Sequence, residues 1–245
     1  MPESRYAFGD SDTAAQRLAT VARVFDPPSR AFLGEWKGAG CGLALDLGCG
    51  PGFTTELVDA VLAPERTVGI DASQAFVDAA SARAPRLAFL RHDVLDLPFP
   101  TGPADLVYAR FLVSHLADPA RALAGWRSAL APGGRLLLDE VEAIDTACRV
   151  FGRYLALVEA VLAERGQCLF VGPRLEELAA GLEVASSTAR THPVDPRDAA
   201  RMFALNLATL RPDDRALAAE LEAIARDGGP PITWTLRQLV VGARS

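Results

Sequence analysis

The sequence predicts an α/β fold in which a largely parallel sheet carries helices on both faces. Three observations point there. Short apolar segments alternate with helical ones across residues 40–140, the pattern of repeated βαβ units. Those apolar segments lack a period-two alternation, as strands buried on both faces do. A glycine run (Gly48, Gly50, Gly52) joins the first strand to the following helix. The backbone can approach a ligand closely there, because glycine has no Cβ and tolerates positive φ.

Residues 11–35 read as an opening helix with Asp10 or Ser11 as N-cap and Leu18, Val21, Val24 and Phe25 as a rough apolar stripe. The first strand is expected over residues 42–47. A helix follows over 54–63, with Leu57, Val58 and Val61 on one face. Residues 68–71 form a short strand ending in Asp71, after which Ser73 caps a helix reaching about Ala82. The third and fourth strands are expected over 87–91 and 105–109. Pro119 then opens a helix to about Leu130, since proline suits the first turn. Pro132, Gly133 and Gly134 make a turn before a fifth strand over 135–139. Past residue 140 the pattern changes. One long helix is expected over 143–165 and a shorter one over 174–181. A weakly alternating strand over 183–191 precedes helices over 196–209 and 213–226. A glycine–proline break leads to a β-rich end over 232–243.

The chain has 245 residues, half of them hydrophobic and 23% charged, which suits one large α/β domain or two small ones. Its net charge of −6 disfavours general affinity for nucleic acid or an anionic membrane. No apolar stretch is long enough for a membrane span. The acid and proline near Met1 predict no secretory leader, and a cytoplasmic location is expected. Cys41, Cys49, Cys148 and Cys168 form no CxxC pair, so neither a zinc site nor a disulfide framework is expected. Lys37 is the lone lysine among many arginines, a bias that reads as GC-rich codon usage.

Ligands of open α/β sheets bind beyond the carboxyl ends of the strands. Those ends offer residues 48–52, Asp71, Asp93, Arg110, Asp139 and Glu140. A dinucleotide-binding fingerprint would place its third glycine where Phe53 stands.

Five stretches together resemble class I S-adenosylmethionine (SAM)-dependent methyltransferases. Residues 44–52 look like motif I, 68–73 like motif II, and 92–94 with 97–99 like motif III and its loop. Residues 104–108, with 115–119 downstream, look like motif IV, and 130–134 resemble the turn before the fifth strand. The whole is similar to the type 11 methyltransferases related to ubiquinone and menaquinone biosynthesis and to natural-product tailoring enzymes. The GC-rich signature favours tailoring in bacterial secondary metabolism.

The resemblance implies a seven-stranded Rossmann-like sheet, mostly parallel with the last strand antiparallel, under a helical lid. It implies a single domain over residues 1–245: an N-terminal helical lid (1–38), a SAM-binding core (40–140), a helical insertion (141–182), and strands and helices completing the sheet (183–245). Gly48 and Gly50 would present backbone to the methionyl part of SAM. Asp71, with Ala72 beside it, would accept from both ribose hydroxyls, the bland alternative being a helix cap. Asp93 would accept from the adenine amino group and the Val94 amide would meet a ring nitrogen. Asp46 would order the loop or reach the SAM ammonium through water. Arg110 would meet cofactor or substrate through its backbone. Cys49 would be a small filler.

Methyl transfer needs alignment more than acid–base chemistry. If a base is used, His115, one helical turn past Phe111, is the first candidate, because imidazole suits neutral pH. Glu140 is the second, with Asp139 and Glu142 beside it. The alternatives are a hydrogen-bonded loop histidine and acids at a helix N-terminus. His92 and His192 are expected to be uninvolved. Tyr6 would close the pocket unless the terminus frays. Phe111, Phe151 and Tyr154 are expected to line the substrate side or the lid. No metal is expected.

A small-molecule acceptor methylated on O, N or C follows from this reading, S-adenosylhomocysteine (SAH) being the co-product. Competing readings are a quinone-biosynthesis C-methyltransferase and a SAM-binding protein without methyl transfer. A nucleic-acid methyltransferase is disfavoured because the fourth strand ends Tyr108-Ala109-Arg110-Phe111, with no Pro-Pro-aromatic run. The oligomeric state is open, with a homodimer as one option.

Overall fold

A computed structural model describes residues 12–37 and 40–242. The expected caps Asp10 and Ser11, and Tyr6, lie outside the described residues. Eight helices and seven strands follow in the described part: α1 (Asp12–Gly34), β1 (Leu43–Leu47), α2 (Phe53–Leu62), β2 (Arg66–Asp71), α3 (Gln74–Arg83), β3 (Ala88–Arg91), β4 (Ala104–Arg110), α4 (Pro119–Ser128), β5 (Leu130–Thr146), α5 (Arg149–Ala163), α6 (Leu175–Leu178), β6 (Val184–Val194), α7 (Pro196–Leu210), α8 (Arg215–Asp227) and β7 (Ile232–Gly242).

The strands form one sheet in the order β3-β2-β1-β4-β5-β7-β6. The β1–β2, β2–β3, β1–β4 and β4–β5 pairs are parallel, and β7 runs antiparallel between β5 and β6. This is the expected architecture. The direction of winding reverses between β1 and β4, so a crevice opens at their carboxyl ends.

Alternate residues of each buried strand feed opposite layers. Leu45 and Leu47 join Leu123 and Trp126 of α4 on one face. Ala44, Leu106 and Tyr108 pack with Leu57 and Val58 of α2 and with Phe32 and Leu33 of α1 on the other. A third cluster joins α5, α7 and α8 around Phe151, Phe203 and Trp234. Local capping agrees with the sequence. The Ser73 hydroxyl accepts from the Phe76 amide, and the Asp118 carboxylate accepts from the Arg121 amide ahead of Pro119.

Residues 143–146 depart from the expected helix. They continue β5 in register with β7, from Ala143 opposite Thr235 to Thr146 opposite Ile232, and the helix starts only at Arg149. Glu142 and Ala143 are good helix formers, but the ladder to β7 supplies backbone partners that local propensity could not anticipate. The extension lifts Val141 and Ile144 past the carboxyl edge of the parallel strands.

Candidate active site

The crevice opens into a cavity of about 1620 Å³ lined by residues from α1, the β1–α2 loop, the ends of β2 to β5, α5, α7 and β7. That exceeds the usual range of about 300–1,000 Å³ for one small-ligand pocket, so two ligands can share it.

The glycine loop forms one wall. Gly48 and Gly50 sit at φ +64° and +52°, and a Cβ on Gly48 would lie 2.8 Å from Leu112 Cδ1. No other residue fits there without strain. The loop is held from three sides. Asp71 Oδ2 accepts from the Gly50 amide at 2.8 Å, while its Oδ1 accepts from the Ser73 amide at 2.8 Å. Asp46 Oδ2 accepts from the Thr54 and Thr55 hydroxyls at 2.6 and 2.7 Å. Arg83 donates from Nε to the Pro51 carbonyl at 3.0 Å, pairs with Glu56 at 2.6 Å and lies 3.8 Å from the Phe53 ring centroid. The clamp by Arg83 has no signature in the sequence, because the contact bridges separate helices.

Asp71 therefore braces the glycine loop and the turn before α3, whose N-cap is Ser73, and its half-buried carboxylate also lines the cavity. Each of its oxygens has lone-pair capacity beyond the one amide. Asp93 and Val94 line the same cavity beyond β3. Asp93 Oδ1 accepts from the Leu95 amide at 3.0 Å, and the Val94 carbonyl accepts from the Trp126 indole at 2.8 Å. Trp126 is fully buried, so α4 pins the loop that carries Asp93. Ala72 and Arg110 also line the cavity.

Asp46 does not. It is buried beneath the loop, and desolvation pushes its carboxyl up to about 6 against the pull of Thr54, Thr55 and Arg110. Its position fits the loop-ordering role. Cys49 is likewise buried, with a thiol raised well above its ordinary value by desolvation first and then by Asp46 and Asp71. Such a thiol is a poor nucleophile.

The two candidate bases separate. His115 lines the cavity. Burial, and then the nearby Arg17 cation, lower its imidazole to about 3, so the ring is neutral at physiological pH. Glu140 is fully buried and does not line the cavity. Its Oε1 accepts from the Leu112 and Val113 amides, both at 2.7 Å. Desolvation pushes it up to about 8 despite those amides. Its carboxyl thus addresses the loop leading to His115, not the cavity space.

Asp139 is buried as well. Its Oδ2 accepts from Ser29 at 2.7 Å and Tyr108 at 3.2 Å, and Oδ1 from Gln238 at 3.4 Å. Arg110 donates to the Ser29 hydroxyl at 3.2 Å. Glu142 pairs with Arg237 at 2.5 Å. His92 donates from Nε2 to the Asp96 carbonyl, 2.6 Å away, and neither it nor His192 lines the cavity.

Of the three aromatics assigned to the substrate side, Phe111 and Tyr154 line the cavity and Phe151 does not. Phe151 is buried behind them, edge-on to Phe203 at 5.3 Å. Phe111 holds φ +54°, a left-handed conformation uncommon for a bulky residue. Sequence reading missed Phe25, Gln167, Phe203, Asn206 and Trp234, which also line the cavity. Phe25 belonged to a recognised apolar stripe, but nothing local says that this face meets a cavity. Among the described residues, no group of three or more His, Cys, Asp or Glu side chains could hold a metal.

Residues 45–138 match the family described as Methyltransferase domain. A trans-aconitate 2-methyltransferase from Methylobacterium radiotolerans is 43% identical over 97 residues, which is 40% of this chain and 37% of that protein. Across the first curated relatives, the matched part spans only 29% to 38% of their own length. Among solved structures, the [4+2]-cyclase SpnF has a TM-score of 0.58 at 23% identity, covering 88% of this chain and 80% of that one. A phosphoethanolamine N-methyltransferase from Haemonchus contortus, solved with phosphomonomethylethanolamine and SAH, has a TM-score of 0.56 at 16% identity. It covers 94% of this chain and 53% of its own.

Proposed function

We propose, from the premise that residues 45–138 match the methyltransferase-domain family, that this chain transfers a methyl group from SAM to an oxygen or nitrogen of a small molecule. The observation that carries the reading is one cavity shared by the Gly48–Gly50 turn, Asp71 and Asp93. Three successive strand ends there present a bare backbone and two carboxylates at one crevice. The residues fit the cofactor. The left-handed backbone at Gly48 and Gly50 keeps the turn bare, and the Asp71 carboxylate is pre-oriented by two amides while still facing the cavity.

Bound there, SAM supplies a methyl group already activated by its sulfonium. The protein's part is then positioning and exclusion of water. In this reading Asp71 holds the ribose hydroxyls, Asp93 and Val94 the adenine, and Gly48 and Gly50 the methionyl backbone. Asp46 shapes the loop from below. The Phe111–His115 loop, fixed by Glu140, fronts the acceptor. A neutral His115 serves as a hydrogen-bonding partner for the acceptor, and Glu140 positions it without contacting substrate. The four free cysteines support a reducing, cytoplasmic setting.

Titration calorimetry with SAM and SAH tests the cofactor assignment. Wild type binds both, and Asp71→Ala weakens SAM by about 1.5–3 kcal/mol, the range for hydrogen bonds to a charged group. Unchanged affinity would remove Asp71 from the site, and no binding to wild type would remove the cofactor.

A second reading has a specific basis, since the neighbour SpnF is a cyclase on this fold and fold alone does not set chemistry. The chain would then bind SAM without transferring its methyl group. Conversion of SAM to SAH in the presence of acceptors separates the two readings.

A further inference from the structure

Five aromatic rings on the cavity wall form a continuous chain of contacts. Phe111 meets Phe25 edge-on at 5.0 Å, and Phe25 meets Trp234 at 5.8 Å. Trp234 meets Phe203 at 5.8 Å, and Phe203 stacks on Tyr154 at 4.1 Å with an interplanar angle of 19°. All five line the cavity, and they come from α1, the residue after β4, α5, α7 and β7. Such a wall offers broad apolar faces and edges to a flat ring system.

Two polar groups interrupt it. Gln167 donates from Nε2 to the His115 carbonyl at 2.6 Å, and Asn206 donates from Nδ2 to the Tyr154 hydroxyl at 2.7 Å. Their carbonyl oxygens, Gln167 Oε1 and Asn206 Oδ1, are buried and have no hydrogen-bond partner among the described residues. Both residues line the cavity. A buried acceptor without a donor is costly, and a ligand donor relieves that cost. A carboxylate has no donor and would set oxygen against oxygen.

Four arginines line the cavity, Arg17, Arg91, Arg110 and Arg165, and Arg91 donates to the Ala72 carbonyl at 3.3 Å. Arg110 donates to Ser29 and lies beside the buried acids Asp46 and Asp139. Arg17 is already engaged. Arg165 is exposed to solvent.

We propose that this aromatic wall, with Gln167 and Asn206, selects as methyl acceptor a flat, largely apolar ring system bearing a hydroxyl or N–H donor, in preference to a polycarboxylate. The proposal rests on the methyltransferase reading and names its acceptor class.

The test titrates SAH-loaded protein with naphthol, with naphthol's methyl ether and with trans-aconitate, reading calorimetry and tryptophan fluorescence. Naphthol should bind about tenfold or more tightly than its donor-less ether, and more tightly than trans-aconitate. Gln167→Leu and Asn206→Leu, made separately, should each bring naphthol toward the ether while leaving SAH affinity near wild type. Tighter binding of trans-aconitate than of naphthol, or equal binding of naphthol and its ether to wild type, overturns the proposal. So does an unchanged preference in both variants. Failure of SAH to bind would overturn the cofactor reading instead, and the same titrations on unloaded protein would still decide the acceptor class.

Discussion

Glu140 shows how far the surroundings of one residue can redirect it. Its place at the end of the fifth strand suggested a base, but its carboxyl grips two backbone amides of the 112–115 loop and is raised to about 8 by burial. A carboxyl whose folded value lies above its unfolded one contributes stability that is full at low pH and lost as pH rises. The window runs here from about 4.5 to about 8. Glu140→Gln keeps an acceptor for both amides and cannot ionise. Thermal melts from pH 5 to 9 should therefore show the variant gaining on wild type up to about pH 8 and level beyond it. A constant difference would show that Glu140 does not titrate in that window. His115, by contrast, lines the cavity, but burial and Arg17 make it a weak base. The rate profile should show no limb from His115 between pH 5 and 8, as checked by comparing wild type with His115→Gln. Neither residue's protonation was legible in the sequence, because burial and charged neighbours set it, not residue type.

Helix α1 is joined to the sheet by a polar contact as well as by Phe32 and Leu33. Ser29 is fully buried and donates to Asp139, and Arg110 donates in turn to Ser29. Ser29→Ala leaves a buried carboxylate short of a donor and should cost about 1–3 kcal/mol in urea unfolding. A loss below half a kcal/mol would show that water takes over the contact. The helix itself, its extent and most of its apolar stripe were legible from residue types. Its seat on Asp139 was not, since the two partners are distant in sequence. The β5 extension teaches the same lesson more sharply. Residues 143–146 read as the start of the long helix, yet β-branched Ile144 and Thr146 suit a strand, and β7, from a remote part of the chain, supplies the ladder that makes them one. That strand brings Ile144 and Trp234 opposite each other at the cavity.

At the scale of the whole molecule, the cavity is built from both ends of the described chain: α1 from one, α7 and β7 from the other, and the glycine loop between them. A ligand bound there should stabilise the fold as a unit, by about 2.7 kcal/mol at a hundredfold excess over its Kd. SAH should accordingly raise the melting temperature of wild type and raise that of Asp71→Ala less. Equal shifts in both would place SAH elsewhere. The sequence by itself determined the α/β class, the order of the elements over 40–140 and the crevice residues Gly48, Gly50, Asp71 and Asp93. These depend on local signals: strand composition, a glycine turn, and acids at strand ends. Tertiary structure alone decided which carboxyls face ligand and which are buried as braces, and which aromatic rings form the wall beyond the loop. Those outcomes depend on contacts between residues remote in the chain, and on the desolvation such contacts impose.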